Sequence, residues 1–387
     1  MKPSRKNVLI TGGAGFIGSN LAVFLANKGH AVTVLDILSP QIHGAEPERS
    51  PLFKSIKNKV KFIHGSVGDA QLLSEILTNQ DEIYHLAAET GTGQSMYEIA
   101  RYFESNVQAT AILLDSLANT PNSVKKILIS SSRAVYGEGK YINNIGSIVY
   151  PKARLEHNMR KKIFNPVCDI DKTELKVRPT DEDSEKYPTS VYGLTKLVQE
   201  NMIMNIAPTL GIVPVAVRYQ NVYGPGQSLS NPYTGILAVF STRILNGNPI
   251  EIFEDGLESR DFIYIDDVVA ATALVMDSDL TANQVLNVGT GVAVTVKHVA
   301  ESLAALYNKE IEINVTNRYR LGDIRHNFAD IEKLKKLLNF TPKVSFDEGL
   351  KKFSEWVIKQ EIPADQFNES LEQLKHKGLL KDNALIG

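Results

Sequence analysis

The sequence contains one cysteine, Cys168, among its 387 residues. A single thiol can form neither an internal disulfide nor a cysteine-rich metal site, so we expect a reducing compartment and predict no bound metal. An excess of charge is also missing, since the formal net charge is −2. Proteins that bind nucleic acid or acidic membranes carry a basic excess, so neither kind of partner is predicted.

Long apolar runs are lacking as well. The run from Val8 to Ile10 is far too short for a signal-peptide core, and glycines follow it at once. No stretch approaches the roughly 18 apolar residues of a membrane span, which predicts a cytoplasmic protein. The 43% hydrophobic and 22% charged residues that are present are typical of a globular enzyme.

Short β-branched runs alternate with amphipathic helical patterns along the chain. Strands are predicted at 6–11, 31–36, 60–63, 82–87, 125–130, 213–218, 250–253 and 285–288. Apolar strands joined by helical crossovers predict an α/β fold with a doubly wound, parallel Rossmann sheet. We expect this Rossmann domain at 1–220, with 262–290 returning to it. A smaller C-terminal α/β substrate-binding domain is expected at 221–387.

The segment 138–187 interrupts this pattern with a long polar stretch that has no clean period. Segments of that length inside compact domains are usually functional or disordered. A lid near the active site, an interface arm and a passive surface loop all fit the sequence.

Three glycines, Gly12, Gly15 and Gly18, follow the first strand and open a helix. They allow a sharp turn and bring backbone N–H groups close to a pyrophosphate, which the helix N-terminus also attracts. Asp36 ends the second strand, where a carboxylate accepts hydrogen bonds from the adenosine ribose and would repel a 2′-phosphate. The sequence therefore predicts NAD as the cofactor, rather than NADP.

Tyr192 and Lys196 lie four residues apart on a predicted helix and share one face. A free phenol has a pKa of about 10 and is a poor base at neutral pH. A neighbouring ammonium, together with the positive nicotinamide ring, stabilises the phenolate, so that the tyrosine can remove a hydroxyl proton as hydride leaves. We expect Ser132 to hydrogen-bond the reacting oxygen and Lys196 to hold the nicotinamide ribose as well.

These motifs and their order resemble the extended short-chain dehydrogenase/reductase family. The run from Thr11 to Gly18 has the Gly-x-x-Gly-x-x-Gly spacing, and His85 to Ala88, Ser130 to Ser132 and Tyr192 to Lys196 follow in family order. The cofactor-binding residues that the resemblance implies are Gly12, Gly15, Phe16, Ile17, Gly18, Asp36, Ser66, Val67, Ala87, Ala88, Thr90, Asn106, Tyr192 and Lys196.

One position departs from the family pattern. The family has an aspartate that meets the adenine after the third strand, and Ser66 stands at that position here. We therefore expect weaker or water-mediated recognition of adenine, and we do not assign the aspartate's role to Asp69.

The run from Arg218 to Gly226 resembles the nucleotide-sugar epimerase branch of the family, in which the asparagine at Asn221 contacts a diphosphate. Arg260 and Arg320 match arginines that bind the same ligand, and guanidinium forks suit phosphate oxygens. The resemblance thus implies a dTDP- or UDP-linked sugar as the partner. The predicted substrate-binding residues are Thr92, Gln94, Ser132, Arg133, Asn221, Arg260, Arg320 and Asp323.

The residues after Ser132 bear on the reaction. The 4,6-dehydratases of this branch have an acidic pair there, whereas this chain has Arg133 and Ala134, which disfavours elimination. Longer stretches within 38–235, and the insertion itself, resemble the dTDP-L-rhamnose 4-epimerase subgroup. That resemblance implies conversion of dTDP-L-rhamnose to dTDP-6-deoxy-L-talose by transient oxidation at C4.

Three other functions stay open at this point: a UDP-hexose 4-epimerase, a dTDP-4-keto-6-deoxyhexose reductase and a non-catalytic dinucleotide sensor. Sensors typically lose the tyrosine or the lysine, and both Tyr192 and Lys196 are present here. The resemblance also implies a homodimer built on the predicted helices at about 98–117 and 191–206.

Overall fold

The computed structural model describes residues 5–231, 233 and 235–382. Within these residues, seven parallel strands form the central sheet: β1 Asn7–Thr11, β2 Ala31–Asp36, β3 Lys61–His64, β4 Glu82–His85, β5 Lys126–Ser132, β6 Val213–Tyr219 and β7 Val285–Val288. Their order across the sheet is β7-β6-β5-β4-β1-β2-β3, so the chain winds outward in both directions from the β1–β4 boundary. The Rossmann prediction is confirmed. Ligands of such sheets bind at the carboxyl ends of the strands, beside this boundary.

Helices cover both faces of the sheet. The α-helices are Phe16–Asn27, Pro40–His43, Pro51–Ile56, Ala70–Leu77, Thr92–Ser95, Ile99–Tyr102, Ala109–Asn119, Glu156–Arg160, Val191–Ile206, Ile236–Leu245, Ile265–Asp277, Val296–Leu306, Glu332–Leu338, Phe346–Val357 and Phe367–His376. Single turns of 3₁₀-helix lie at Pro47–Arg49, Arg133–Tyr136, Ala207–Leu210 and Asp279–Thr281.

The core divides into two clusters because side chains alternate along each strand. On one face, Val8 and Ile10 of β1 pack in the cluster that includes Leu21 from the helix Phe16–Asn27. On the other face, Leu9 packs in the cluster that includes Leu113 from the helix Ala109–Asn119. Strands buried on both faces explain why the sequence shows continuous apolar runs there.

The helix predicted at about 98–117 is interrupted in the structure. A π-helical segment, Phe103–Gln108, separates the α-helices Ile99–Tyr102 and Ala109–Asn119. Such segments are frequently found at functional sites, because they change the direction in which side chains point. Asn106 lies within this segment.

The C-terminal part consists of small sheets packed beside the central one. The strand pairs are Asn221–Tyr223 with Phe262–Tyr264, Ile250–Ile252 with Ile313–Val315, Ser259–Arg260 with both Val294–Thr295 and His326–Asn327, and Tyr319–Arg320 with Leu380–Lys381. Segment 138–187 contributes a three-stranded antiparallel sheet, whose strands are Ile148–Val149, Tyr141–Ile142 and Lys176–Val177. Among the helices of the described residues, none has the length and apolar character that crossing a membrane requires.

Candidate active site

A cavity of about 1020 Å³ opens at the carboxyl ends of β1, β4 and β5 and continues into the C-terminal part. It brings together most of the residues that the sequence predicts. Those that line it are Gly12, Gly15, Phe16, Ile17, Gly18, Asp36, Ser66, Val67, Ala87, Ala88, Thr90, Thr92, Ser132, Arg133, Tyr192, Lys196, Asn221, Arg260, Arg320 and Asp323.

The glycine loop forms one end of the cavity. Gly12 has a φ of +68°, and a Cβ on Gly18 would lie 2.3 Å from the Gly12 carbonyl oxygen, so this turn requires both glycines. Asp36 fixes the loop by accepting the backbone N–H of Ala14 at 3.0 Å, and it accepts that of Leu38 at 2.8 Å. Backbone N–H groups at a helix N-terminus suit a pyrophosphate, and these residues therefore fit a dinucleotide such as NAD.

The site that departs from the family pattern lies beside this loop. Ser66 lines the cavity, and its hydroxyl accepts the backbone N–H of Gly68 at 3.0 Å. Asp69 instead caps the helix Ala70–Leu77 by accepting the N–H of Leu72 at 3.0 Å. Asp69 thus has a structural role at the start of this helix.

Tyr192 lines the cavity from the first turn of the helix Val191–Ile206. Ser190 caps that helix, and the backbone N–H of Tyr192 donates to the Ser95 hydroxyl at 3.0 Å. Burial raises the pKa of the Tyr192 phenol, while a hydrogen bond from Ser132 and the positive charge of Arg133 oppose this. Ser132 also accepts the backbone N–H of Ala134 at 3.2 Å and so caps the 3₁₀ turn Arg133–Tyr136.

Lys196 lies one helical turn further on and is buried. Its ammonium donates to the Gln199 side chain at 2.7 Å. Burial lowers the pKa of Lys196 to about 7, an effect that the negative charge of Glu200 partly opposes.

Three arginines and one carboxylate form the next part of the cavity. Asp323 accepts hydrogen bonds from Arg260 at 3.1 Å and from Arg320 at 2.7 Å. Burial would raise the pKa of Asp323, but these arginines hold it below its ordinary value. Arg133 donates to the Asn221 side chain at 3.3 Å, and burial and the charge of Arg260 lower the pKa of Arg133 to about 10. This concentration of positive charge suits a diphosphate.

Two predicted residues, Asn106 and Gln94, are not among the described residues that line the cavity. The buried Asn106 side chain accepts the backbone N–H of Glu89 at 2.7 Å and donates to the Glu89 carbonyl at 3.2 Å. Gln94 is also buried and hydrogen-bonds Gln41 and Glu98. Both side chains support the cavity wall from behind.

Sequence reasoning missed two groups of lining residues. The first group lies on the C-terminal helix Phe367–His376 and consists of Phe367, Ser370, Leu371 and Leu374. The second group lies in the π-helical segment and consists of Glu104, Ser105 and Gln108. The first group has an amphipathic spacing that is visible in the sequence. The insertion contributes nothing comparable: all of 138–187 is described, and none of it lines the cavity.

Comparison with known proteins gives concordant results. The sequence profile described as the NAD dependent epimerase/dehydratase family matches residues 8–160 and 169–289. The dTDP-L-rhamnose 4-epimerase of Burkholderia thailandensis is 37% identical over 358 residues, which cover 92% of this chain and 96% of that protein.

UDP-sugar enzymes are also similar to this chain. The UDP-glucose 4-epimerase of Halalkalibacterium halodurans is 30% identical over 352 residues, which cover 87% of this chain and 90% of that protein. The crystal structure of the UDP-glucose 4-epimerase of Thermotoga maritima with UDP-glucose matches with a TM-score of 0.73 and 32% identity, covering 91% of this chain and 99% of that one.

Proposed function

Because the chain belongs to the NAD dependent epimerase/dehydratase family, we propose that its substrate is dTDP-L-rhamnose and its product dTDP-6-deoxy-L-talose. The chain is an NAD-dependent nucleotide-sugar 4-epimerase, an isomerase. The observation that carries the proposal is that Ser132, Tyr192 and Lys196 line the same cavity as the glycine loop and the arginine cluster.

The chemistry follows from the groups around Tyr192. Tyr192 takes the proton of the sugar O4 hydroxyl, and Ser132 hydrogen-bonds the same oxygen. Arg133 supplies positive charge that favours the phenolate. Lys196 lies one helical turn away in the same cavity, where we expect it to hold the nicotinamide ribose. The glycine loop and Asp36 would hold NAD, which would supply the reversible hydride acceptor for C4. Tyr192 returns its proton to O4 when the hydride goes back to the other face of the sugar.

The substrate is held at its diphosphate by Asn221, Arg260 and Arg320, while Arg133, whose charge acts on the Tyr192 phenol, lies nearer to the sugar. Arg260 and Arg320 keep the diphosphate tethered while the 4-keto sugar turns over in the cavity. Asp323 bridges the two arginines and so fixes the direction of both guanidinium groups. Neither residue after Ser132 is acidic, so no pair of carboxyl groups is present there for elimination.

A UDP-hexose is the second candidate substrate, because UDP-glucose 4-epimerases match this chain at 30% and 32% identity. The 37% identity to the dTDP-L-rhamnose enzyme, over a similar share of the chain, favours the first candidate.

Product analysis tests this choice. We expect purified protein to convert dTDP-L-rhamnose to its C4 epimer without added NAD, as shown by NMR of the product, and to convert UDP-glucose far more slowly. A dTDP-4-keto sugar with stoichiometric NADH is the matched control for a reductase. Irreversible consumption of NADH with the keto sugar would refute the epimerase assignment, and preferential turnover of UDP-glucose would replace the proposed substrate.

We also propose that two chains pair through an exposed apolar surface formed by Ile99, Phe103 and Leu194, which are 51%, 36% and 41% exposed. The two segments that carry it are joined by a hydrogen bond from Asn106 to Thr195 at 2.9 Å. Burying such a surface between two chains is favourable.

Light scattering should therefore give the mass of two chains, and Phe103→Glu combined with Leu194→Glu should give the mass of one. Ile170→Glu, at a 91% exposed position in the insertion, is the matched control and should leave the dimer intact. A single-chain mass for the unmodified protein would rule the dimer out.

A further inference from the structure

The C-terminal helix Phe367–His376 is held firmly where it begins. Asp365 forms a buried ion pair with Arg243 at 3.0 Å, and its other oxygen accepts the backbone N–H of Phe367 at 2.9 Å. The Arg243 guanidinium also lies 4.3 Å from the centre of the Phe367 ring. The first turn of the helix is therefore fixed against the body of the protein.

The segment after this helix is attached to the strand that carries Arg320. Leu380–Lys381 pairs antiparallel with Tyr319–Arg320, and the backbone N–H of Leu321 donates to the Leu379 carbonyl at 2.9 Å. The tail thus reaches the backbone of a residue that we assign to diphosphate binding.

The inner face of the helix forms one wall of the cavity. Phe367, Ser370, Leu371 and Leu374 have the i, i+3, i+4, i+7 spacing of a single helical face, and all four line the cavity. The Phe367 ring stacks on Phe253, with ring centres 6.5 Å apart and planes 22° from parallel.

The position of this wall relative to the arginines follows from a chain of contacts. Arg320 and Arg260 both donate to Asp323. The Arg320 guanidinium lies 5.0 Å from the centre of the Phe253 ring. Phe253 in turn stacks on Phe367. Tyr192, in contrast, interacts with Ser132 and Arg133. The arginine cluster therefore separates a reactive end of the cavity from an apolar end.

We propose that the C-terminal helix Phe367–His376 forms a wall of the nucleoside end of the substrate site and packs against the heteroaromatic base. This inference rests on the proposed function. In a nucleotide-linked sugar, the diphosphate lies between the sugar and the nucleoside, so a sugar at Tyr192 leaves the base on the far side of the arginines. Leucine side chains and a phenylalanine ring suit the flat, weakly polar faces of a base.

Calorimetry with the NAD-loaded protein can test this assignment, with dTDP and inorganic pyrophosphate as the probes. Leu371→Ala combined with Leu374→Ala removes the apolar contacts, so we expect dTDP to bind about tenfold more weakly or worse. Pyrophosphate contacts only the arginines, so its affinity should stay the same. The KM for the nucleotide sugar should rise while kcat changes little.

The matched control is Glu369→Ala combined with Glu372→Ala, on the exposed side of the same helix, which should leave both affinities unchanged. A second variant, Ser370→Leu, adds bulk to the wall without removing an apolar side chain, and it should also weaken dTDP selectively. If the double leucine variant fails to fold, Ser370→Leu decides the question.

Unchanged dTDP affinity in the folded leucine variant and in Ser370→Leu would overturn the proposal, and so would equal weakening of dTDP and pyrophosphate. If the unmodified protein binds neither dTDP nor UDP, the nucleotide-sugar assignment itself fails. The two failures are therefore distinguishable.

Discussion

Tyr192→Phe should lower turnover by about a thousandfold, because positioned proton transfer typically contributes a factor of that order. The variant loses one oxygen atom and keeps the ring. Both the Ser132 hydroxyl and the Arg133 charge act to favour the ionised form of the Tyr192 phenol. Without that oxygen, no phenol remains beside Ser132 to take the proton of the sugar O4.

The measurement is kcat for the epimerase reaction, together with the NAD content of the purified variant. NAD should remain bound, because the glycine loop and Asp36 are untouched. Tyr187→Phe, at a half-exposed tyrosine five residues earlier, is the matched control and should retain full turnover. Retention of more than about a tenth of wild-type turnover by Tyr192→Phe would contradict the assignment of Tyr192 as the base.

The central sheet could be predicted because its signals are local. Each buried strand is a short apolar run, and the alternation of strands with helices specifies a parallel sheet. The glycine loop, Ser132, Tyr192 and Lys196 were equally accessible, since each has a defined position at a strand end or a helix start. The structure places all of these residues around one cavity.

Other features depend on contacts that no local pattern encodes. The sequence of Phe103–Gln108 has an ordinary helical pattern, so the π-helical segment could not be predicted. Asn106 lies in this segment and is not among the described residues that line the cavity. The helix Phe367–His376 is recognisable by its spacing, but its neighbour Phe253 lies more than a hundred residues earlier in the sequence. Pairings over that separation are decided by the packing of the whole molecule.

The insertion 138–187 shows the same difficulty with charged residues. Its polar sequence indicates a surface segment, yet the Arg154 side chain is only 4% exposed. It lies between Glu138 and Glu254, whose side chains are 0% and 5% exposed. The nitrogen–oxygen distances of these ion pairs are 3.1 and 2.7 Å. Arg154 also donates to the backbone carbonyl of Asp323 at 3.1 Å. The insertion therefore supports the arginine cluster from behind.

Arg154→Met should consequently lower the free energy of unfolding by about 3–5 kcal/mol, because two buried carboxylates would lose the cation between them. Chemical denaturation monitored by circular dichroism measures this change. Arg160→Met is the matched control, because Arg160 pairs with Glu156 on the surface of the same insertion. The denaturation midpoint of this variant should equal that of the unmodified protein. Adding Glu138→Gln to Arg154→Met should recover part of the loss, since Glu138 forms no other ion pair among the described residues, whereas Glu254 keeps its pair with Arg325. If Arg154→Met and Arg160→Met are equally stable, the insertion is only loosely attached. The conclusion that it supports Asp323 would then be wrong.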